Sequence, residues 1–269
     1  VGTFEVRGLS RDRGTVNPGL SVSFRIERTK TKTPNTAEIQ VLNLADETRR
    51  QLQALKRVPV KLEAGYRDQI ATIFLGELRI IESTWVPPEW RTVVRSGDGE
   101  YAARVARIDQ VYDGRVRLSE AIEAVAKAMR VGIGNATLMA AKGRFIDGSN
   151  TFLQSAVLSG AAADVLDDLL ESAGLEWSVQ DNELQVLERG QPIRGQDVLL
   201  TPDTGLLSAR IDTKNVVTFR SQLHPDIRPG VSVKIEAKNL TARMRVAEAV
   251  YIGDTAANDW YVDGKGKAL

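Results

Sequence analysis

Ser21-Val22-Ser23-Phe24-Arg25-Ile26-Glu27-Arg28 places Val22, Phe24 and Ile26 on one face of an extended chain and Ser23, Arg25 and Glu27 on the other. That period of two is a half-buried β-strand. Ala37-Glu38-Ile39-Gln40-Val41 repeats the pattern, and the polar stretch between them carries Pro34-Asn35 as turn chemistry. The two runs read as a long antiparallel hairpin with a basic, threonine-rich tip, and threonine's strand preference lets the ladder run into that tip.

Outward from the hairpin, Asp46 reads as a helix N-cap for Glu47–Lys56, with Leu52 and Leu55 on one side. Strand patterns follow at Val60–Ala64, Ile70–Leu75, Glu77–Glu82 and Arg91–Arg95. Short antiparallel strands with one helix suggest a small barrel or sandwich. From Glu100 the pattern changes. Leu118–Met129 has helical spacing with Ser119 as its cap, and a second helix runs from Ala161 to Ser172, ended by Gly174. Leu175–Val179 and Glu183–Leu187 then form a hairpin around Asp181-Asn182. Glu188–Gly195 reads as a linker, after which strands return at Leu206–Ile211, Val216–Leu223, Val231–Ala237, Met244–Ile252 and Trp260–Val262. The expected fold class is α+β, mainly β: small antiparallel β-barrel domains at 1–99 and 191–269 flanking a mixed insert at 100–190. The two β domains look only loosely alike, and no short solenoid-type repeat is visible.

The chain of 269 residues carries 36 Lys and Arg against 35 Asp and Glu, a net charge of +1. With 42% hydrophobic and 26% charged residues it has the composition of a folded protein. The near-neutral balance argues against a main task of holding nucleic acid phosphates. Having no cysteine rules out disulfides, a thiolate nucleophile and cysteine-rich zinc sites. The single histidine, His224, leaves no histidine pair for a metal. No cofactor and no metal are expected. No apolar run approaches the ~20 residues of a membrane helix, so stable membrane insertion is not expected.

His224 beside Pro225 reads as a loop or surface residue, since acid–base work also needs a positioned partner. Two carboxylates can hydrolyse a glycosidic bond. Asp167, Asp168 and Glu171 read instead as the solvated face of a helix, and Asp98 and Glu100 as part of a turn without a calcium-loop ligand series. Gly132-Ile133-Gly134 does not extend to a phosphate-binding pattern. The basic tip fits either solvated lysines that block edge pairing or a protein contact, and the marginal stability of a long isolated hairpin favours the contact.

Several stretches together resemble phage baseplate hub proteins, the tube-like hubs of long-tailed phages related to type VI secretion spikes. Pro34–Leu44 followed by Asp46-Glu47-Thr48-Arg49 is similar to that family's first domain. Pro225-Asp226-Ile227-Arg228-Pro229-Gly230 running into Val231-Ser232-Val233 is similar to its Pro-x-x-x-Pro-Gly turn into a strand. Gly253-Asp254-Thr255 with Asp259-Trp260-Tyr261 is similar to its closing signature, and Ala163–Leu166 through Leu184–Val186 to its small helical domain. The resemblance implies a structural virion protein of the tail tip or baseplate with no catalytic residues. It implies a homotrimer whose two tube-like barrels per chain form a pseudo-sixfold ring. That ring would dock on the tail tube or distal tail protein, receive a spike or central fibre, meet the tape-measure protein, and let genome DNA pass without specific binding. The chain is short for such a protein, so an attached lysozyme is not expected. Arg28, Lys30, Lys32, Thr33 and Asn35 of the hairpin are the expected inter-subunit contact residues. The alternatives are a cell-wall-degrading tail enzyme using acids among Asp98, Glu100, Asp167 and Asp168, and a hexameric distal-tail protein.

Overall fold

The computed structural model describes residues 4–10, 20–66, 69–134, 152–171, 173–193, 195 and 197–269. Ser172, the expected end of the second helix, and Arg194 of the expected linker lie outside the described residues.

Six strands come first: β1 (Phe4–Ser10), β2 (Val22–Thr29), β3 (Asn35–Leu42), β4 (Pro59–Tyr66), β5 (Gln69–Val86) and β6 (Glu89–Asp98). Helix α1 (Asp46–Gln53) joins β3 to β4. The alternation of β2 is realised, because Val22, Phe24 and Ile26 are buried while Arg25 and Glu27 are exposed. Two expectations shift in detail. The strands read at 70–75 and 77–82 are one strand, because Gly76 does not break the ladder. A Cβ there would lie 2.6 Å from the Gly97 carbonyl oxygen, so glycine permits the close crossing of β5 and β6. Asp46 is the first helical residue and Ala45 the N-cap, the Asp46 carboxylate pairing with Arg49 and Arg50 instead of with the helix amides.

The middle of the chain holds α2 (Glu100–Arg104), β7 (Arg107–Arg117), α3 (Leu118–Met129), β8 (Gly132–Ile133), β9 (Phe152–Ala161), α4 (Ala162–Glu171), β10 (Leu175–Gln180) and β11 (Glu183–Glu188). Strands β7 and β9 pair as a long antiparallel ribbon, β10 and β11 as a hairpin with β8 alongside. The apolar stripe of α3 (Ala121, Ile122, Val125, Ala126 and Met129) is buried against α4 and β7, forming a core separate from that of the large sheet. Ser119 lies inside α3, whose N-cap is Arg117 with no side-chain cap bond.

The last six strands are β12 (Asp197–Leu200), β13 (Leu206–Ile211), β14 (Val216–Gln222), β15 (Ser232–Ala237), β16 (Leu240–Asp254) and β17 (Trp260–Ala268). They repeat the first six. In the first half the sheet order is β1-β4-β5-β6-β3-β2, and in the second it is β12-β15-β16-β17-β14-β13. Both read first, fourth, fifth, sixth, third, second in chain order. In both the first and fourth strands run parallel while the other neighbours are antiparallel. In the sequence this duplication shows only as two strand-rich ends, the two tube-like units that the family resemblance implies, which look only loosely alike residue by residue. Strand β2 then pairs with the C-terminal part of β16, Ile26 opposite Tyr251, so the halves form one twelve-stranded sheet over one continuous core. Ile26, Ile39, Phe74, Val233 and Tyr251 have no exposed surface in that core, each large apolar side chain contributing about 1.5–3 kcal/mol by burial.

Candidate functional site

The seam between β2 and β16 is where the unusual residues gather. Even-numbered positions of β2 face the core, and Arg28 continues that series after Val22, Phe24 and Ile26. It is 1% exposed. A charge at such a position needs a partner, and the turn of the β10–β11 hairpin supplies one. Asp181 and Asn182 hold φ of 55° and 62° there, the left-handed pair that a two-residue hairpin turn requires. Arg28 donates to both Asp181 carboxylate oxygens at 2.9 and 2.7 Å and to the Ile73 carbonyl. Arg228 adds a third bond to Asp181 at 3.2 Å and one to the Thr72 carbonyl at 3.2 Å, and the Leu75 N–H donates to Asp181 at 3.1 Å.

A second carboxylate holds the backbone of that turn. Asp98, at the end of β6, accepts the N–H groups of Asp181 at 2.7 Å and Asn182 at 2.8 Å. Asn35 donates to Asp98, the Val179 carbonyl and Gln180 Oε1. The electrostatics follow. Burial opposes the Arg28 charge, but Asp181 outweighs it and holds the guanidinium above its ordinary pKa. Burial pushes the Asp181 carboxyl up, and Arg28, with Arg228 and the Leu75 N–H, more than reverses this, leaving it below the ordinary range. Asp98 has amide donors and a more distant cation, so there burial prevails and its pKa is raised. A ring of β2, β5, β6 and the turn before β15 thus grips the insert through charge-assisted bonds.

The stretches singled out in the sequence converge on this seam. The Thr255 hydroxyl accepts the Val22 N–H at 2.9 Å and the Thr255 N–H donates to the Val22 carbonyl at 3.0 Å, extending the β2–β16 pairing by one rung. Asp254 accepts the N–H groups of Ala256 and Ala257, shaping the turn. Gly253 is glycine because a Cβ would meet the Phe24 ring at 2.3 Å and Trp260 at 2.9 Å. Those two rings pack edge-on at 5.4 Å, and Trp260 Nε1 donates to the Gly65 carbonyl. In the Pro225–Gly230 turn, Ile227 accepts the buried Tyr251 hydroxyl and Arg228 reaches Asp181.

The five expected contact residues divide. Arg28 and Asn35 are buried within this chain, a correction to their place at a surface contact: each polar group of Asn35 and the forked end of Arg28 already has a partner inside. Lys32 and Thr33 stay exposed and Lys30 half-buried, with Lys30 pairing Glu176 at 3.5 Å and Lys32 pairing Asp167 at 2.8 Å. The acids considered for hydrolysis are apart in role. Asp98 is buried under amides. Glu100 pairs with Arg79 and Arg104. Asp167 accepts Trp177 Nε1 as well as Lys32, and Asp168 is exposed. His224 Nδ1 accepts the Asp226 N–H at 3.3 Å in a turn, and burial lowers its pKa. Among the described residues no cluster of three or more His, Cys, Asp or Glu could hold a metal ion, and no helix is long and apolar enough to cross a membrane. Sequence reading placed Asp181 in a hairpin turn, Asp98 among candidate acids and Arg228 in the proline–glycine turn, but did not bring the three together around Arg28. The one available signal was Arg28, a charge on the buried parity of a strand.

The fold is that of phage tail proteins. It is similar to a tail protein from Neisseria meningitidis MC58, with a TM-score of 0.60 and 9% identity over 92% of this chain and 95% of that one. It is similar to the 43 kDa tail protein of prophage MuSo2 from Shewanella oneidensis, with a TM-score of 0.57 and 9% identity over 93% and 96% of the two chains. The c3393 protein of E. coli, a type VI secretion component with structural similarity to T4 tail proteins gp27 and gp5, aligns with a TM-score of 0.56 and 11% identity over 96% of this chain and 76% of that one. No curated protein matches the sequence. The chain belongs to the baseplate hub gp41 family, whose sequence model matches residues 3–240. It is a structural baseplate hub component of a phage tail, located in the virion and assembling with other tail components.

Proposed function

We propose that three copies of this chain form a ring that joins the sixfold tail tube, or a distal tail protein on it, to a threefold spike or central fibre. The duplicated strand order carries this reading. Two equivalent six-stranded units per chain make six from three copies, which bridges threefold and sixfold symmetry. Residues 1–99 and 191–269 are then the two tube-like units, and 100–190 an insert held by the Asp181 turn. Lys30, Lys32 and Thr33 remain at the surface for a neighbouring copy. The ring encloses the channel through which DNA leaves, and the net charge of +1 suits a wall that does not retain phosphate. The tape-measure protein meets the same ring. The chain works without catalysis, and the partnered Asp98, Glu100 and Asp167 support that. Imaging of the particle tests the proposal: three copies coaxial with the tube are expected, and six copies, or β units lying outside any ring, refute it.

A further inference from the structure

Strands β2 and β13 hold the same place in the two halves, and so do β16 and β5. The row Leu78, Ser96, Ala37, Ile26 across β5, β6, β3 and β2 matches the row Val246, Gly266, Val217, Ile211 across β16, β17, β14 and β13. Both long strands shift register just after the first residue of those rows, between Leu78 and Ile80 and between Val246 and Glu248. The matching bonds are the Leu78 N–H to the Val58 carbonyl at 2.9 Å and the Val246 N–H to the Val231 carbonyl at 3.0 Å. Glu248–Asp254, the stretch that receives β2, therefore corresponds to Ile80–Val86 of β5.

That stretch of β5 has no strand on the matching edge among the described residues, since pairing with β4 ends at Glu77. Among the described residues β13 pairs only with β14. Its outer edge is ready to bond. In β2 the Lys30 N–H reaches the Ala247 carbonyl, which fixes even-numbered amides toward β16. The equivalent amides of Ala209 and Ile211 point away from β14, whereas the next one, Asp212, donates to Val216. Apolar side chains lie open at both edges. Ile211 is 43% exposed where its counterpart Ile26 is 0%, and Trp85 is 48% exposed where its counterpart Gly253 is covered by Phe24. Neither edge stretch, Ser208–Ile211 or Ile80–Val86, contains proline or lysine, and their charges, Arg210 and Glu82, bond back to Thr218 and Arg95 within the chain.

We propose that β13 of one copy adds antiparallel to Ile80–Val86 of β5 in a second copy, with the register of the β2–β16 seam. Ile211 lies opposite Ser83, Arg210 opposite Thr84, Ala209 opposite Trp85 and Ser208 opposite Val86. This is the contact of a second copy of the same chain, given head to tail, so each copy offers β13 and receives on β5 and the set closes into a ring. It rests on the proposed ring and specifies its subunit joint.

The chain's lack of cysteine allows a register test. Thr84 and Arg210 fall at a non-hydrogen-bonded pair, where Cα atoms about 4.5 Å apart suit a disulfide. Mild oxidation of a Thr84→Cys, Arg210→Cys variant of the full chain should give a ladder ending at three chains on a non-reducing gel. The offset pair Thr84→Cys, Ser208→Cys should give at least about tenfold less, because its Cα atoms are misaligned by two residues. Ala209→Pro removes an outward amide while leaving the β13–β14 bonds, and should abolish the three-chain mass by light scattering with the melting temperature retained. Absence of cross-linked product, equal product from the offset pair, or a three-chain mass untouched by Ala209→Pro overturns the pairing. If the imaged particle still holds three coaxial copies, the ring stands without it. Cross-linked rings of another number keep the pairing and refute the three-copy ring.

Discussion

Asp181→Asn tests the seam most directly. Asparagine keeps the size of the side chain and tolerates the left-handed φ of 55° at this turn position. The change therefore removes one negative charge and little else. Arg28, 1% exposed, loses the carboxylate that accepts two of its bonds, and Arg228 loses its bond as well. Breaking a buried ion pair from one side costs about 3–5 kcal/mol, because the remaining charge is left in a poorly solvated place. At about 2–4 °C per kcal/mol for a chain of this size, the melting temperature should fall by about 6–20 °C at pH 7. Calorimetry of the full chain measures it. The pH dependence gives an independent check. Because the folded pKa of Asp181 is depressed, its contribution is complete above the ordinary aspartate value of about 3.9 and is lost as pH falls through the lowered value. The gap between wild type and variant should therefore be constant at neutral pH and close below about pH 4. The neighbouring Asp98, whose folded pKa is raised, acts with the opposite sign: its contribution is full in acid and is lost as pH rises through the raised value. A melting temperature within about 2 °C of wild type at pH 7, equivalent to less than about 1 kcal/mol, would refute the view that Asp181 neutralises Arg28.

Other substitutions probe separate parts of the molecule. Gly253→Ala places a methyl group 2.3 Å from the Phe24 ring and should cost about 1–3 kcal/mol by urea unfolding. Thr255→Val removes the acceptor of the Val22 N–H while keeping the shape, and should cost about 1 kcal/mol, with faster amide exchange at Val22 as the readout. Leu166→Ala, in the core of the insert with no exposed surface, should cost about 2–5 kcal/mol and lower the urea midpoint of the insert.

Most strands of the large sheet were legible because they bury one face, as the alternation of β2 and β3 shows, but β1 and β12, the strands that pair in parallel, did not read as strands. Every residue of the α3 stripe was legible for the matching reason at helical spacing. The β7–β9 ribbon was not. Val111 and Val157 face each other at the paired position of its middle and are both exposed, so neither strand shows a one-sided pattern. The duplication was legible as two β domains but not as a repeated strand order, because the halves share order and register with few shared residues: Ile26 stands where Ile211 does, but Phe24 answers to Ala209 and Tyr251 to Ser83. The hairpin's contacts inside its own chain were not legible, since Lys30 and Lys32 pair with Glu176 and Asp167 of the insert. Nothing in Thr29–Asn35 names Asp181, 146 residues beyond Asn35 in the chain, as the group that fills the space between Arg28 and Arg228.

The difference between the two matching edges has a physical consequence for order of assembly. The β2–β16 seam has seven paired positions, the extra rung at Thr255 and the Arg28–Asp181–Arg228 cluster behind it. At the other edge, β13 ends at Ile211 and the chain turns at once through 212–215, the Asp212 carboxylate accepting the amides of Lys214 and Val216. The counterpart of Arg28 on that edge would fall inside this turn, so no buried charge is presented there and no insert turn is gripped. A joint of the second kind holds fewer backbone bonds and no ion pair, and is the weaker of the two. In the proposed ring, closing the stronger seam within one chain first would let it meet a neighbour as a folded unit. That order is the one that keeps an apolar strand edge from pairing before its register partner on β5 exists.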